Sequence, residues 1–271
     1  MSDIRTLLLI FALYSFLGWA IESIYCSIPA GKPINRGFLA GPFCPIYGAG
    51  AMLVVEVLTP FKENILLLFA AGALLTSLVE YLTGWLLEVL FHTKYWDYSS
   101  HRFQIHGRVC LKNSLLFGVM SVAAVHGFQP FLLSLAERIP SRVLSWLSFG
   151  LALYFLADTA LSVMEVTRLN GMLSELQQVM DEIKERAHTA RVETREVLQD
   201  MIAARLDGMD ENTKARLRAL YEQKEKLESG FHLLQRRILR AFPTMRSAKS
   251  NESLLRIREL LQNYGKFIRR G

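Results

Sequence analysis

The chain has 271 residues, of which 51% are hydrophobic and only 21% charged, and its formal net charge is +6. Residues 1–168 hold 11 basic and 10 acidic side chains, whereas residues 169–271 hold 20 basic and 15 acidic ones. The first part is apolar enough to be a membrane domain and the second is charged enough to dissolve in water. This split excludes an ordinary soluble enzyme and a disordered chain.

Five apolar stretches predict five transmembrane helices, because each is close to the roughly 20 residues that a helix needs to cross about 30 Å of hydrocarbon. We do not expect the first stretch to be a cleaved signal peptide, since it contains Trp19 and Glu22 and lacks a small-residue cleavage site. The five stretches lie at about 4–25, 42–59, 64–91, 111–135 and 142–167.

The basic residues of the short loops predict the orientation, because Lys and Arg are more frequent on the cytoplasmic side of a membrane. One side would receive four basic residues and the other nine, in and beside loops 26–41 and 92–110 and at the start of the tail. We therefore predict a multi-pass protein of the bacterial plasma membrane, with its N-terminus outside and its C-terminus in the cytoplasm.

A short motif occurs twice in the same order. Residues 18–22 (Gly-Trp-Ala-Ile-Glu) end the first span, and residues 84–88 (Gly-Trp-Leu-Leu-Glu) end the third. Downstream, the stretches Gly37 to Gly48 and Gly107 to Gly118 both run through a loop into the next helix. These matches predict two parallel helical-hairpin repeats, related by an axis along the membrane normal and followed by a fifth helix. The alternative is chance, since short Gly and Trp matches are common in membrane proteins.

The repeat places Glu22 and Glu88 at equivalent depths inside the membrane. Charge in hydrocarbon costs at least ~2.5 kcal/mol per residue on insertion scales, so such residues normally face a bundle interior or a watery cavity. One interpretation is structural: Arg36 and Arg108 neutralise the two glutamates and lock the copies together. The other is a polar pocket, open to the cytoplasm, that binds an ion, a lipid headgroup or a small anion. The predicted pocket residues are Trp19, Glu22, Asn35, Arg36, Glu80, Trp85, Glu88, Asp97, Tyr98 and Arg108.

Two further features lie inside the predicted spans. Asp158, Ser162 and Glu165 share one face of the fifth span, since seven residues at 100° each return to within about 20°. We expect a structural role for Glu165. Pro45 removes a backbone donor near the start of the second span, which predicts a ragged or re-entrant entry there.

The second loop contains Asp97 together with His92, His101 and His106. These residue types bind zinc, but their spacing matches no established metal motif, and most such histidines only form hydrogen bonds. We therefore predict no cofactor and no catalytic residue, and keep a divalent metal as the alternative. The sequence contains no nucleotide-binding P-loop, so the use of ATP would need a partner ATPase.

The tail shows a second kind of pattern. From residue 169 to residue 204 the apolar positions step by four and three, and the pattern resumes from 217 to 241, as in a coiled coil. Residues 206–210 (Leu-Asp-Gly-Met-Asp) interrupt it, so two arms should fold back on each other as an antiparallel hairpin. An amphipathic helix at about 251–269 would pack on this hairpin or lie on anionic lipid.

These elements predict an all-α polytopic membrane protein with a C-terminal cytoplasmic coiled-coil hairpin. Its domains would be a five-span transmembrane domain at 1–168, the hairpin at 169–241 and a region with the amphipathic helix at 242–271.

Eight short motifs follow one another between residues 18 and 111. They are Gly18-Trp19 with Glu22, Asn35-Arg36-Gly37-Phe38-Leu39, Gly41-Pro42, Cys44-Pro45-Ile46-Tyr47-Gly48, Glu80-Tyr81, Thr83-Gly84 with Glu88, Trp96-Asp97-Tyr98-Ser99 and Gly107-Arg108-Val109-Cys110-Leu111. In this order they resemble the bacterial family called Putative ABC-transporter type IV, or CmpB-like, over about residues 5–165. His106 departs from the neutral polar residue, such as Asn, expected at its position. The resemblance implies a permease.

Three functions remain open at this point. The first is a permease-like transport component, which would need at least a dimer to form a pore. The second is a membrane scaffold or sensory protein that acts through its coiled-coil tail. The third is a membrane enzyme on lipid headgroups or phosphates, with Asp97, His106 and the glutamates as acid, base or metal ligands. The expected partners are membrane lipids, further copies of the chain and an ATPase or other protein bound to the coiled coil, but no nucleic acid.

Overall fold

A computed structural model describes residues 3–189, 211–230 and 233–267 of the chain. The chain divides into two compact units. Unit 1 comprises Met1–Glu165 together with Arg237–Arg246, and unit 2 comprises Val166–Arg236 together with Ser247–Gly271. Unit 1 thus contains ten residues of the tail that the sequence pattern assigns to other domains.

The fold is mostly helical and membrane-like. Asp3 caps the first helix and Asn64 the third, each accepting a hydrogen bond from a free backbone N–H at the helix start. Gly31 and His92 end the same two helices in the left-handed conformation. The helices that begin in unit 1 are α1 (Ile4–Ala30), α2 (Pro45–Leu58), α3 (Ile65–Phe91), α4 (Leu111–Ala123), α5 (Gln129–Glu137) and α6 (Ser141–Thr189), with a 3-10 turn at Thr59–Phe61 and a π turn at Ala124–Phe128.

Four helical segments are long and apolar enough to cross a membrane: Ile4–Ile28, Ile65–Phe91, Leu111–Glu137 and Ser141–Glu185. The segment Pro45–Phe61 is apolar but shorter, so the fifth span that was predicted over 42–59 is not confirmed.

The reason for the short second helix lies at its start. The backbone N–H of Cys44 donates to the carbonyl of Ser15, 2.9 Å away, and Ser15 lies near the middle of α1. The chain therefore re-enters the bundle as a loop, and α2 begins only halfway along its neighbour. Its 14 residues make a helix of about 21 Å.

Glycines allow the helices of each consecutive pair to approach closely. A methyl group on Gly48 of α2 would overlap Ser15 Oγ and lie 2.7 Å from the carbonyl oxygen of Phe11, both on α1. A methyl group on Gly118 of α4 would lie 2.8 Å from the Phe69 ring on α3. Small residues at crossings are how apolar helices pack in membranes.

The two pairs meet side by side. Tyr47 of α2 and Phe117 of α4 stack edge to face with their ring centroids 6.1 Å apart. Near the end of α1, the Tyr25 hydroxyl accepts a hydrogen bond of 3.1 Å from Lys112 Nζ at the start of α4. The ends of α1 and α3 therefore lie at the same end of the bundle, which we call the loop end. The internal repeat itself stays a prediction.

Short strands shape the loop between α3 and α4. Gln104–Ile105 (β2) pairs antiparallel with Val109–Cys110 (β3), and a left-handed Gly107 lies in the turn between them. A methyl group on Gly107 would overlap Asp97 Oδ1. The other strands are β1 (Thr93–Lys94) and β4 (Arg246–Ser247).

Unit 2 consists of the end of α6 with α7 (Glu211–Ser229), the start of α8 (Leu233–Ala241) and α9 (Asn251–Phe267). Val179 and Ile183 of α6 pack on Leu220 of α7. Gln223 Nε2 donates to Glu175 Oε1 at 3.0 Å, so the order of contacts makes α6 and α7 antiparallel. In α9, Ser253 bonds to Gln177 of α6, which fits the predicted packing of this helix on the tail.

The coiled coil of the tail is not confirmed. The predicted turn at 206–210 and most of the seam between 187 and 204 lie outside the described residues. The predicted second arm runs without a break from 217 to 241, whereas α7 ends at Ser229.

The glycine crossing between α1 and α2 generates a stability prediction. We expect Gly48→Ala to destabilise the protein by about 1–3 kcal/mol, because the added methyl group meets backbone as well as a side chain. Gly50→Ala on the same helix is the matched control: its methyl group would meet nothing within 4 Å. It should be neutral or stabilise by up to about 1 kcal/mol. Thermal unfolding of both variants in detergent measures the difference. Equal unfolding temperatures would contradict the close crossing.

Candidate functional site

Two ion pairs hold the loops at the loop end against the helices that precede them. Arg36 Nε lies 2.9 Å from Glu22 Oε1, and Arg108 Nη2 lies 2.8 Å from Glu88 Oε2. All four side chains are partly buried. Each arginine thus neutralises the glutamate of its own helix pair. The structural interpretation of the sequence expected these arginines to lock the two helix pairs together. Neither of the two ion pairs makes such a link.

The loop after α1 folds back along that helix. Trp19 Nε1 donates to Asn35 Oδ1 at 2.7 Å, and Asn35 Nδ2 donates to the carbonyl of Ala40 at 3.0 Å. The backbone N–H of Arg36 donates to Ser23 Oγ at 3.2 Å. Trp19 and Asn35 therefore position the re-entrant loop, residues 36–44.

A buried carboxylate on α6 holds the tip of the re-entrant loop. The backbone N–H groups of Ala40 and Gly41 donate to the two oxygens of Asp158, each at 2.9 Å. Tyr154 Oη donates to Oδ2 at 3.0 Å, and Ser162 Oγ donates to Oδ1 at 3.3 Å. Asp158 and Ser162, two residues of the predicted polar face, thus satisfy backbone donors that have left helical geometry.

The third residue of that face has a different environment. Glu165 lies further along α6, is half-buried and interacts with groups other than the N–H groups of the re-entrant loop. The sequence pattern placed the three residues on one face but could not indicate which of them binds the loop.

Glu80 is the acid of the site that has no basic partner among the described residues. Its side chain on α3 is only 7% exposed. Tyr98 Oη donates to Glu80 Oε1 at 3.2 Å, whereas Oε2 is buried without a hydrogen-bond partner in the described part of the chain. Glu22 is a further charged neighbour of Glu80, and Asn113 is a neutral hydrogen-bonding neighbour.

Glu22, Arg36, Glu80 and Tyr98 form what we call the central cluster. Besides its bond to Glu80, Tyr98 lies within the electrostatic influence of Glu22 and Arg36. Burial, with the negative charges of Glu80 and Glu22, raises the pKa of the Tyr98 hydroxyl well above its ordinary value. Tyr98 therefore stays neutral and remains a hydrogen-bond donor to Glu80.

Arg108 and Glu88 belong to a second group of side chains. Arg108 Nη1 donates to Tyr81 Oη at 3.3 Å, and its guanidinium lies 5.2 Å from the centre of the Tyr81 ring. The Tyr81 hydroxyl in turn lies 3.0 Å from His106 Nδ1. Trp85, which was predicted to line the pocket, has 48% of its surface exposed on α3.

Asp97 lies in a separate ionic network. It accepts hydrogen bonds from the backbone N–H and hydroxyl of Ser99, and it pairs with Lys94 at 3.5 Å and Arg246 at 3.0 Å. Burial alone would raise the pKa of Asp97, but these hydrogen bonds and charges outweigh burial and lower the pKa below its ordinary value.

The loop histidines have other contacts than a metal. His106 faces Tyr81, and the His101 ring packs on the Tyr98 ring with centroids 5.6 Å apart. Within residues 3–189, 211–230 and 233–267, no three His, Cys, Asp or Glu side chains come together in a group able to hold a metal ion.

The structure thus separates the ten predicted pocket residues. It brings Glu22, Arg36, Glu80 and Tyr98 together, with Trp19 and Asn35 supporting them, and it places Glu88, Arg108, Asp97 and Trp85 elsewhere. Sequence reasoning missed Tyr81, although it follows Glu80 in the same motif. It also missed Tyr154, which lies one helical turn before Asp158.

Comparison with known proteins identifies the family of this domain. The family model described as Putative ABC-transporter type IV matches residues 9–163, which is more than half of the chain. The chain belongs to this family. No curated protein and no solved structure matches the chain significantly. The type IV domain contains the whole central cluster as well as Asp158, and family and apolar helices together indicate a transporter-type component of a membrane.

The bond between Asp158 and the re-entrant loop generates a second prediction. In Asp158→Asn, an amide N–H₂ replaces one acceptor, so one backbone donor loses its partner at a cost of about 1–3 kcal/mol. We expect roughly tenfold faster hydrogen–deuterium exchange at Ala40 and Gly41. Mass spectrometry of a peptide that covers residues 38–43 measures the exchange rate.

The matched control for this experiment is Glu137→Gln, which changes an exposed acid at the end of α5. It should leave exchange in the same peptide unchanged. If Asp158→Asn exchanges no faster than the wild-type chain, Asp158 does not hold the loop.

Proposed function

We propose that the chain is a permease-like transport component whose central cluster binds a small cation or a proton. The observation that carries this proposal is Glu80, a buried carboxylate without a basic partner among the described residues and with one oxygen unbonded there. The type IV family supports the transport role, and the charge balance of the cluster supports a positively charged ligand.

The described charged side chains of the site leave one negative charge without a partner. Arg36 neutralises Glu22 and Arg108 neutralises Glu88, so Glu80 is left with one uncompensated negative charge when ionised. An isolated carboxylate in an apolar interior is so costly that it takes up a proton or binds a cation. The orphan Oε2 is the atom where either one would bind.

The position of the cluster supports the same proposal. Irregular backbone at membrane depth is tolerated only where it is buried in protein or lines a water-filled cavity. The re-entrant loop carries Arg36 and reaches the level of Ser15 in α1. We propose that the loop end faces the cytoplasm, as the loop arginines and lysines indicate, and that a ligand reaches Glu80 from there.

The rest of the transporter would come from other chains. The described part of the chain offers four long apolar helices and one half-length helix, which is few for a complete pore, so we propose a homo-oligomer. Without a P-loop in its sequence, the chain would depend on a partner ATPase if ATP drives transport. Membrane lipids would cover the exposed apolar side chains of α3, such as Leu74 and Leu78.

The second candidate function is a membrane scaffold or sensor. The two satisfied Arg–Glu pairs favour it, because a packing network needs charges that neutralise each other in place and needs no free binding group. Glu80 distinguishes the two functions, since a scaffold gains nothing from an uncompensated acid.

A binding experiment tests the role of Glu80. Purified full-length protein in detergent should bind radiolabelled Na⁺ or Rb⁺, or take up a proton that a potentiometric titration detects. We expect Glu80→Gln to lose this one ion or proton per chain. Glu63→Gln, which changes a highly exposed loop acid, should keep it. If the wild-type protein and Glu80→Gln bind the same number of ions and protons, the proposal is wrong.

Transport itself is tested in cells that lack the natural gene. Uptake and export of a panel of inorganic cations should fall at least tenfold in Glu80→Gln, because the central cluster would lose the one acid that no arginine of the cluster neutralises. Glu88→Gln and Arg108→Ala should also reduce transport, since each leaves an unpaired charge in the bundle. If all three variants transport every tested solute as the wild-type chain does, the scaffold function is the better description.

A further inference from the structure

A tail segment of ten residues folds as part of unit 1. Residues 237–246, which we call the latch, lie far beyond the type IV domain in the sequence, yet they belong to the same compact unit. The latch includes the end of α8, and it contacts both loops at the loop end. Its contacts are directed at the groups that build the central cluster.

Arg237 binds the re-entrant loop through its backbone. Its guanidinium donates to three successive carbonyl oxygens, those of Gly37 (3.3 Å), Phe38 (2.9 Å) and Leu39 (2.6 Å). These carbonyls lie in irregular backbone and have no helical partner. One planar guanidinium with several donors can satisfy all three, which a lysine could not do with the same geometry.

The latch also contacts Arg36 of the central cluster. Arg36 Nη1 donates to the carbonyl of Ala241, and the Arg36 guanidinium lies 5.1 Å from the centre of the Phe242 ring. Phe242 in turn packs edge-on against Tyr95 with ring centroids 5.0 Å apart. The arginine that neutralises Glu22 is therefore shared with the latch.

The other end of the latch is fixed to the second loop. Arg246 Nε lies 3.0 Å from Asp97 Oδ2, next to Tyr98 in the chain. The Arg246 side chain is largely exposed, so this ion pair is the weaker attachment. The latch thus spans from the loop of the first helix pair to the loop of the second.

From these contacts we propose that the latch is an autoinhibitory gate that closes the loop end over the central cluster and opens by leaving the re-entrant loop. The ligand site that the gate would close rests on the proposed function, whereas the docking of the latch on the re-entrant loop does not. With the latch docked, Arg36 is held between Glu22 and Ala241. With the latch released, the carbonyls of residues 37–39 and the Arg36 guanidinium become accessible from the loop end.

Cys44 provides a reporter for the latch. It is 3% exposed, its Sγ lies 3.8 Å from the carbonyl oxygen of Arg36, and a methyl group on Gly37 would lie 2.6 Å from the sulfur. A released latch would expose this thiol to water, so its reaction with maleimide would become faster.

The experiment measures the labelling rate of Cys44 in the full-length protein in lipid nanodiscs. A hydrophilic maleimide is added, and peptide mapping identifies which cysteine has reacted. We expect Arg237→Gln to raise the rate at Cys44 at least tenfold and Arg246→Gln to raise it less. Arg240→Gln is the matched control, because Arg240 is an exposed residue in the same turn of α8. It should leave the rate within twofold of the wild-type value.

Cys110 shows whether the variant is still folded. It is 1% exposed in β3, so general unfolding would label Cys44 and Cys110 alike. An unchanged rate at Cys44 in Arg237→Gln overturns the proposal, and so does an equal rise at both cysteines. The readout is the reaction of a thiol and requires no ligand at Glu80, so the gate can be supported even if the binding experiment with Glu80→Gln fails. If both proposals hold, Arg237→Gln should also speed the exchange of the ion or proton at Glu80 without changing the number bound.

Discussion

The fold of unit 1 depends on partners for the backbone of the re-entrant loop. Between Arg36 and Cys44 the chain leaves helical geometry beside apolar helices, where an unbonded peptide group costs several kcal/mol. Asp158 accepts two of its N–H groups, and Arg237 donates to three of its carbonyls. The donors and acceptors of one loop are thus satisfied by two charged side chains from distant parts of the sequence.

The re-entrant loop determines where charged side chains lie inside the bundle. The loop occupies the half of the space beside α1 that is nearest the loop end, so α2 is only half as long as its neighbours. The loop also brings Arg36 to Glu22 inside the bundle. In the second helix pair, a β-hairpin instead of a re-entrant loop brings Arg108 to Glu88. Glu80 is then the one acid of the central cluster whose hydrogen bonding comes from neutral groups and not from an arginine.

Local sequence patterns predicted the four long apolar helices and the arginines that neutralise Glu22 and Glu88. They could not predict the length of α2, because Phe43 and Cys44 are as apolar as the helix that follows them. The hydrogen bond between Tyr98 and Glu80 could not be predicted either. It joins an irregular loop to the preceding helix, and hydrophobic periodicity carries no information about the path of such a loop. The heptad spacing assigned residues 237–241 of the latch to the end of a coiled-coil arm, and it gave no sign of the long-range hydrogen bonds that Arg237 makes to the re-entrant loop.

Arg36 has a consequence for communication between the tail and the bundle. One guanidinium serves Glu22, the carbonyl of Ala241 and the ring of Phe242 at once. For the ligand site proposed above, thermodynamic linkage would then require reciprocity: undocking of the latch would alter the affinity of the central cluster by the same factor by which a bound ligand alters the docking of the latch. A single side chain would in this way make the protein a two-way transducer.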